Sequence, residues 1–273
     1  DVSSGEEIRT LTGHTDSVNA VAIDAEGQTL VTGSSDSTAK LWDAGTGAEI
    51  RTFAGHQEAV KAVAISPDGT LLLTGSTDQT ARLWDINTGE EIRTFSDEDG
   101  PINTVSFAPD GRYILTTIGS TDRWELEDKK QKANLWDMET GELVFSVHEH
   151  NASNDSSVSV AAFSPNGCWF LSAIVSDGQL WDVATGNMVA GPFGSGNRNW
   201  ISVAFSPNSR SVVFGSKQGS AYIWPLEVAP LRAMPEERHG FGLALIDGVA
   251  YIAGGHRYNW LGDNVFSQLW AYN

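Results

Sequence analysis

An all-β fold of repeated four-stranded sheets is the class that this 273-residue sequence predicts, and three observations carry the prediction. Residues 34–53, SSDSTAKLWDAGTGAEIRTF, and residues 76–95, STDQTARLWDINTGEEIRTF, agree at fourteen of twenty positions at an offset of 42. Tryptophan recurs at Trp42, Trp84, Trp136, Trp181, Trp224 and Trp270, in steps of 42, 52, 45, 43 and 46, so six units fill the chain. Between these marks, short β-branched and aromatic runs alternate with Gly, Asp and Pro, which are strand and turn signals. Four strands every forty-odd residues are the signature of a β-propeller, whose sheets bury their faces against their neighbours around a central channel.

The elements follow in a fixed order within a unit. A first strand such as VNAVAI leads through a turn such as PDG to a second strand such as LLLTGS. A polar turn then precedes a third strand ending in ARLWD, and NTG leads to the fourth, EIRTF. The unit cores fall at residues 14–53, 56–95, 99–147, 150–193, 197–232 and 238–273 of a single domain, 1–273. EEIRTL (6–11) is a fourth strand without a sheet, and SQLWAY (267–272) is a third strand without a fourth. Pairing them, with residues 1–13 completing the last unit, predicts a closed ring of six sheets and removes the exposed edges that promote association. A seventh sheet upstream of Asp1 is the alternative.

Composition narrows the function classes. A hydrophobic content of 40% with ten tryptophans supports a packed core. No apolar run approaches the roughly 18–20 residues of a membrane helix, so no membrane role is expected. With 35 acidic against 17 basic side chains, the net charge of −18 repels nucleic acid and anionic lipid and favours a basic protein or peptide. The lone Cys168 has no intramolecular disulfide partner, fits a reducing, cytoplasmic setting, and is expected as a buried core thiol. Asn151 and Asn154 each open an N-x-S triplet, which matters only in a secretory pathway. A start at Asp1 without methionine leads us to expect one segment of a longer protein.

LWD at 41–43, 83–85 and 135–137, QLWD ending at Asp182, and the GH pairs at 13–14 and 55–56 resemble the WD-repeat family over about residues 1–226. The GEEIRTF–GH style is similar to the repeats of bacterial multidomain proteins. The last unit, RHGFGLALIDGVAYIAGG followed by FSQLWAYN, resembles instead a Kelch repeat, which is also a four-stranded propeller blade. The resemblance implies a buried hydrogen-bond chain at His14, Thr32, Asp36 and Trp42, and again at His56, Thr74, Asp78 and Trp84. Such a chain is structural, pinning loops when every member is satisfied. No HxxxH or CxxC spacing gives His14 or His56 a second ligand, so no metal is expected, and no cofactor either.

The later units depart from this pattern. Asp97, Glu98 and Asp99 replace GH in the third, whose turn before LWD swells with RWELEDKKQK (123–132). NASNDSS (151–157) lengthens the fourth, SKQGS in the fifth lacks the aspartate, and HRYNWLGDNVF (256–266) is inserted in the last. All these changes lie in connections from fourth to first or from second to third strands, which emerge on one face of an antiparallel sheet. That face carries the candidate partner-binding residues Asp97, Glu98, Asp99, Arg123, Trp124, Asn154, Asp155, Arg198, Trp200, Arg257, Tyr258 and Trp260, with aromatic and arginine anchors inside a polar rim. The leading expectation is a noncatalytic platform for a protein or peptide, as the sensor or scaffold region of a larger signalling or regulatory protein. A structural subunit of an oligomer is a second reading. A hydrolase with a site assembled from several sheets is a third, although GxSxG, HExxH and GxxxxGK[ST] are all absent.

Overall fold

The computed structural model describes residues 3, 7–96, 100–119, 132–148, 160–173, 178–193, 200–216, 219–226, 239–246, 249–257, 264–265 and 269–272. It divides into two compact units, Asp1–Trp224 and Pro225–Asn273.

The first unit is a succession of antiparallel sheets. The first sheet comprises β1 (Val18–Ile23), β2 (Thr29–Ser34), β3 (Thr38–Asp43) and β4 (Glu49–Ala54) in that order. The second comprises β5 (Val60–Ile65), β6 (Leu71–Ser76), β7 (Thr80–Asp85) and β8 (Glu91–Ser96). The third holds β9 (Ile102–Phe107), β10 (Tyr113–Ile118), β11 (Lys132–Asp137) and β12 (Leu143–His148). The fourth holds β13 (Val160–Phe163), β14 (Trp169–Ala173), β15 (Gly178–Asp182) and β16 (Met188–Ala190). The fifth has three described strands, β17 (Trp200–Phe205), β18 (Ser211–Ser216) and β19 (Ala221–Pro225). The first strands β1, β5, β9, β13 and β17 neighbour one another in turn, so the sheets stack about a common inner edge as propeller blades do.

Register repeats with sequence. Thr32 lies opposite Lys40 and Leu30 opposite Trp42, as Thr74 lies opposite Arg82 and Leu72 opposite Trp84. In the first turns of the second and third sheets Gly69 and Gly111 sit at φ near +70°, while the fifth uses Ser209 at φ 55 in the same place. A side chain there costs about 1–2 kcal/mol.

The core lies between sheets rather than within them. Phe53 of the first packs on Trp84 of the second at 5.8 Å, and Phe95 of the second on Trp136 of the third at 5.7 Å. Phe145 of the third stacks on Phe170 of the fourth. Each such buried ring contributes roughly 1.5–3 kcal/mol, so a single repeat without its neighbour lacks most of its stabilisation. Close approach is set by Gly33 and Gly75, where a Cβ would fall 2.8 Å from Val60 and 2.7 Å from Ile102 of the following sheet.

Three sequence expectations are corrected here. Residues 7–11, expected as an outer strand paired with the last unit, form no strand; the Arg9 guanidinium instead donates to the carbonyls of Ala44 and Gly45. Cys168, expected in the core, is exposed, because it falls in the β13–β14 turn rather than on an inward strand position. In the second unit, β20 (His239–Ile246) pairs with β21 (Val249–Arg257), which also pairs with β22 (Asn264–Val265) and β23 (Leu269–Tyr272). His256 and Arg257, expected in an inserted loop, therefore belong to a ladder, opposite Val265 and Asn264.

Candidate functional site

The two faces of the first unit are built from different connections. The β1–β2 and β3–β4 turns and their counterparts emerge on one, and the β2–β3 and β4–β5 connections on the other. On the turn face each LWD aspartate closes its own turn: Asp43, Asp85, Asp137 and Asp182 accept the amides of Thr46, Thr88, Thr140 and Thr185 at 2.6–2.9 Å.

On the loop face the structure brings together both predicted histidine sets. Trp42 Nε1 lies 2.8 Å from Thr32 Oγ1, which lies 2.8 Å from His14 Nε2, and His14 Nδ1 lies 2.8 Å from Asp36. In the second sheet the same steps, Trp84 to Thr74, Thr74 to His56 and His56 to Asp78, measure 2.9, 2.7 and 2.8 Å. The indole N–H donates to the threonine oxygen, and because the aspartate carboxylate can only accept, it takes a proton from His Nδ1, which in the neutral imidazole leaves Nε2 to accept from the threonine hydroxyl. Each carboxylate further accepts a loop amide, Thr15 or Gln57, and a third-strand hydroxyl, Thr38 or Thr80. The chain thus ties the segment before the first strand and the β2–β3 turn to strands β2 and β3, and the second sheet repeats the arrangement.

These aspartates stay ionised against the cost of burial. Desolvation pushes Asp36 up, but hydrogen bonds from the Thr38 hydroxyl, the Thr15 amide and His14 hold it well below the ordinary carboxylate range. Asp78 behaves alike, with burial outweighed by hydrogen bonds from His56, Thr80 and the Gln57 amide. With every member satisfied and the imidazole side chains 5% and 2% exposed, the sets hold loops in place and offer nothing to a substrate. Among the described residues no group of three or more His, Cys, Asp or Glu side chains is arranged to hold a metal ion.

Beyond the second sheet the described positions of the chain change in part. Trp136 still donates to Thr116 at 3.0 Å and Trp181 to Ser172 at 2.8 Å. Lys132, read from sequence as the end of a swollen loop, opens β11, buried where Thr38 and Thr80 stand in the first two sheets. Asn134, fully buried beside it, accepts from Ser146 at 2.6 Å. Aligning KANLWD with TAKLWD would have exposed both substitutions. In the fifth sheet Phe214 takes the threonine's place, and the polar chain gives way to a cluster of Trp200, Phe214, Tyr222 and Trp224 with ring centroids 5.1–5.8 Å apart.

That cluster corrects one binding candidate. Trp200 is 1% exposed, since it opens β17 at the inter-sheet position that Val60 and Ile102 fill in β5 and β9, and it is a core ring rather than a surface anchor. Arg257 lies in β21. Asp97, Glu98, Asp99, Arg123, Trp124, Asn154, Asp155, Arg198, Tyr258 and Trp260 lie outside the described residues, as do the N-x-S asparagines Asn151 and Asn154.

A family model described as WD domain, G-beta repeat matches residues 5–43, 47–85, 89–124, 141–182 and 192–225. No curated protein matches the chain. Five matched repeats covering more than half of the sequence, laid on antiparallel sheets with a tryptophan–aspartate turn in the first four and Trp224–Pro225 in the fifth, show that the chain belongs to the WD domain, G-beta repeat family.

Proposed function

We propose that the chain is a noncatalytic platform that recognises a basic protein or peptide through the loop face. Repeats of this family generally mediate protein–protein interaction. The observation that carries the reading is the contrast between faces: the threonine–glycine turn recurs in the first four sheets with the same aspartate bond, whereas on the loop face Lys132 and Phe214 stand where the first two sheets place a network threonine. Variable loops on a rigid scaffold are where binding residues concentrate. Asp97, Glu98 and Asp99 supply charge, and Trp124 and Trp260 supply the anchors. We place it in the cytoplasm, as the sensor or scaffold part of a larger signalling protein with bacterial-style repeats and a Kelch-like last unit.

The same reading includes closure of the repeats into a ring of six. Val18, Val21 and Ile23 of β1 are exposed, whereas their counterparts Val60, Val63 and Ile65 of β5 are covered by the preceding sheet. A sixth sheet covering β1 would remove that apolar strip. A subunit of an oligomer is the second reading the strip favours, and light scattering separates the two: a monomer supports closure, a stable multimer the subunit.

Binding is tested with a panel of Lys/Arg-rich and Asp/Glu-rich peptides followed by surface kinetics. Basic peptides should bind, more slowly and with a flatter salt dependence in D97N/E98Q/D99N, and dissociate faster from Trp124→Ala or Trp260→Ala. Equal binding of acidic peptides, or loss of binding from Asp68→Asn on the turn face, would overturn the assignment.

A further inference from the structure

The fourth strands carry an arginine that nothing above explains. Arg51 Nη1 and Nη2, on β4, donate to Thr88 O at 2.8 Å and Asn87 O at 2.6 Å, both in the β7–β8 turn of the next sheet. Arg93, on β8, repeats this on Thr140 O and Glu139 O of the β11–β12 turn, at 2.9 Å each. Arg9 reaches the β3–β4 turn through Nη1 alone, which donates to Ala44 O and Gly45 O one residue earlier in the turn, although its own segment forms no strand. The turn glycine makes room: a Cβ on Gly89 would fall 2.8 Å from Arg51 Cδ, and one on Gly141 would fall 2.5 Å from Arg93 Nη1. At the next junction the position holds Phe145, whose ring lies over Gly186, and in β16 it holds Ala190.

We infer that the fourth-strand arginine is an inter-sheet strap, locking each outer strand to the turn of the following sheet and holding residues 7–11 against the first sheet without any ladder. A planar guanidinium presents two donors in a fixed fork to two successive carbonyls, whereas an ammonium directs its donors from a single nitrogen. Backbone ladders run within a sheet, so the strap adds directional bonds on the turn face to a junction made mainly by apolar contact, which Asn19 Nδ2 also crosses by donating to Val60 O at 2.9 Å. Its polar form ends at the third sheet, where an aromatic ring over glycine replaces it. All straps lie on the turn face, which makes that face the rigid base of the array whether or not the loop face binds a partner.

The size of the effect follows from two hydrogen bonds that a charged guanidinium makes to neutral carbonyls of one turn. The Nε atoms of Arg51 and Arg93 are buried without a hydrogen bond, which offsets part of that gain. A tenfold loss, about 1.4 kcal/mol, is therefore expected. The readout is amide hydrogen exchange of the full chain at Thr88 and Gly89, whose N–H groups bond within the strapped turn to Asp85 Oδ1 and Asp85 O. Arg51→Ala should speed exchange there about tenfold, with Thr46 and Thr140 unchanged as internal references, and Arg51→Lys should restore less than half of the loss. Arg9→Ala should move Thr46 and Gly47 instead. Unchanged exchange in both variants, or equal acceleration at all three turns, would overturn the strap.

Discussion

Replacing His56 by alanine is the sharpest test of the pinning network. The imidazole joins Thr74 and Asp78 at 2.7 and 2.8 Å and its side chain is 2% exposed, so truncation leaves a neutral hydroxyl and an ionised carboxylate without that partner. The bond to the charged group is worth about 1.5–3 kcal/mol and the bond to threonine about 0.5–1.5 kcal/mol. Asp78 keeps the Gln57 amide and the Thr80 hydroxyl, which limits the loss, so the expected destabilisation is roughly 2–4 kcal/mol. Urea unfolding followed by tryptophan fluorescence should show the midpoint falling by about 1 M at an m-value near 3 kcal/mol/M. The double variant H56A/D78N should cost less than the sum of the singles, with a coupling of at least about 0.5 kcal/mol. A midpoint unmoved by His56→Ala, or strictly additive variants, would refute the network as drawn.

Two further outcomes follow from the same geometry. Asp36 and Asp78 are held below the ordinary carboxylate range, so between their folded and unfolded values the unfolded chain binds more protons; their contribution is fully present above about pH 4 and is lost as pH falls below it. Urea midpoints should be flat from pH 7 to about 5 and drop below about 4, and Asp78→Asn should flatten that drop. At the inter-sheet junction, Gly75→Ala puts a methyl 2.7 Å from Ile102 and 2.8 Å from Val105, and should destabilise by about 1–3 kcal/mol in the same assay. Ile102→Ala should cost less in that background than in the parent chain, since it removes the Cγ2 in the way.

How far the sequence reaches is set by the range of the forces involved. Strand alternation and the turn chemistry of PDG and NTG are local or repeat with the period, so the sheets were legible in the chain itself, and both histidine sets were legible through the family resemblance that the GH and LWD motifs carry. The arginine of EIRTF was equally visible, but nothing in its own repeat says what it holds, because its acceptors lie in the next sheet. Trp200 looks like a loop tryptophan beside arginine until Phe214, Tyr222 and Trp224 close around it. Cys168 reads as core by residue type and is exposed by position in a turn. EEIRTL has the pattern of a strand, yet a strand exists only where another offers its edge, and residues 7–11 are held by a side chain instead. Period and pattern decide which residues can face inward; the neighbouring sheet decides which of them are buried and what they touch.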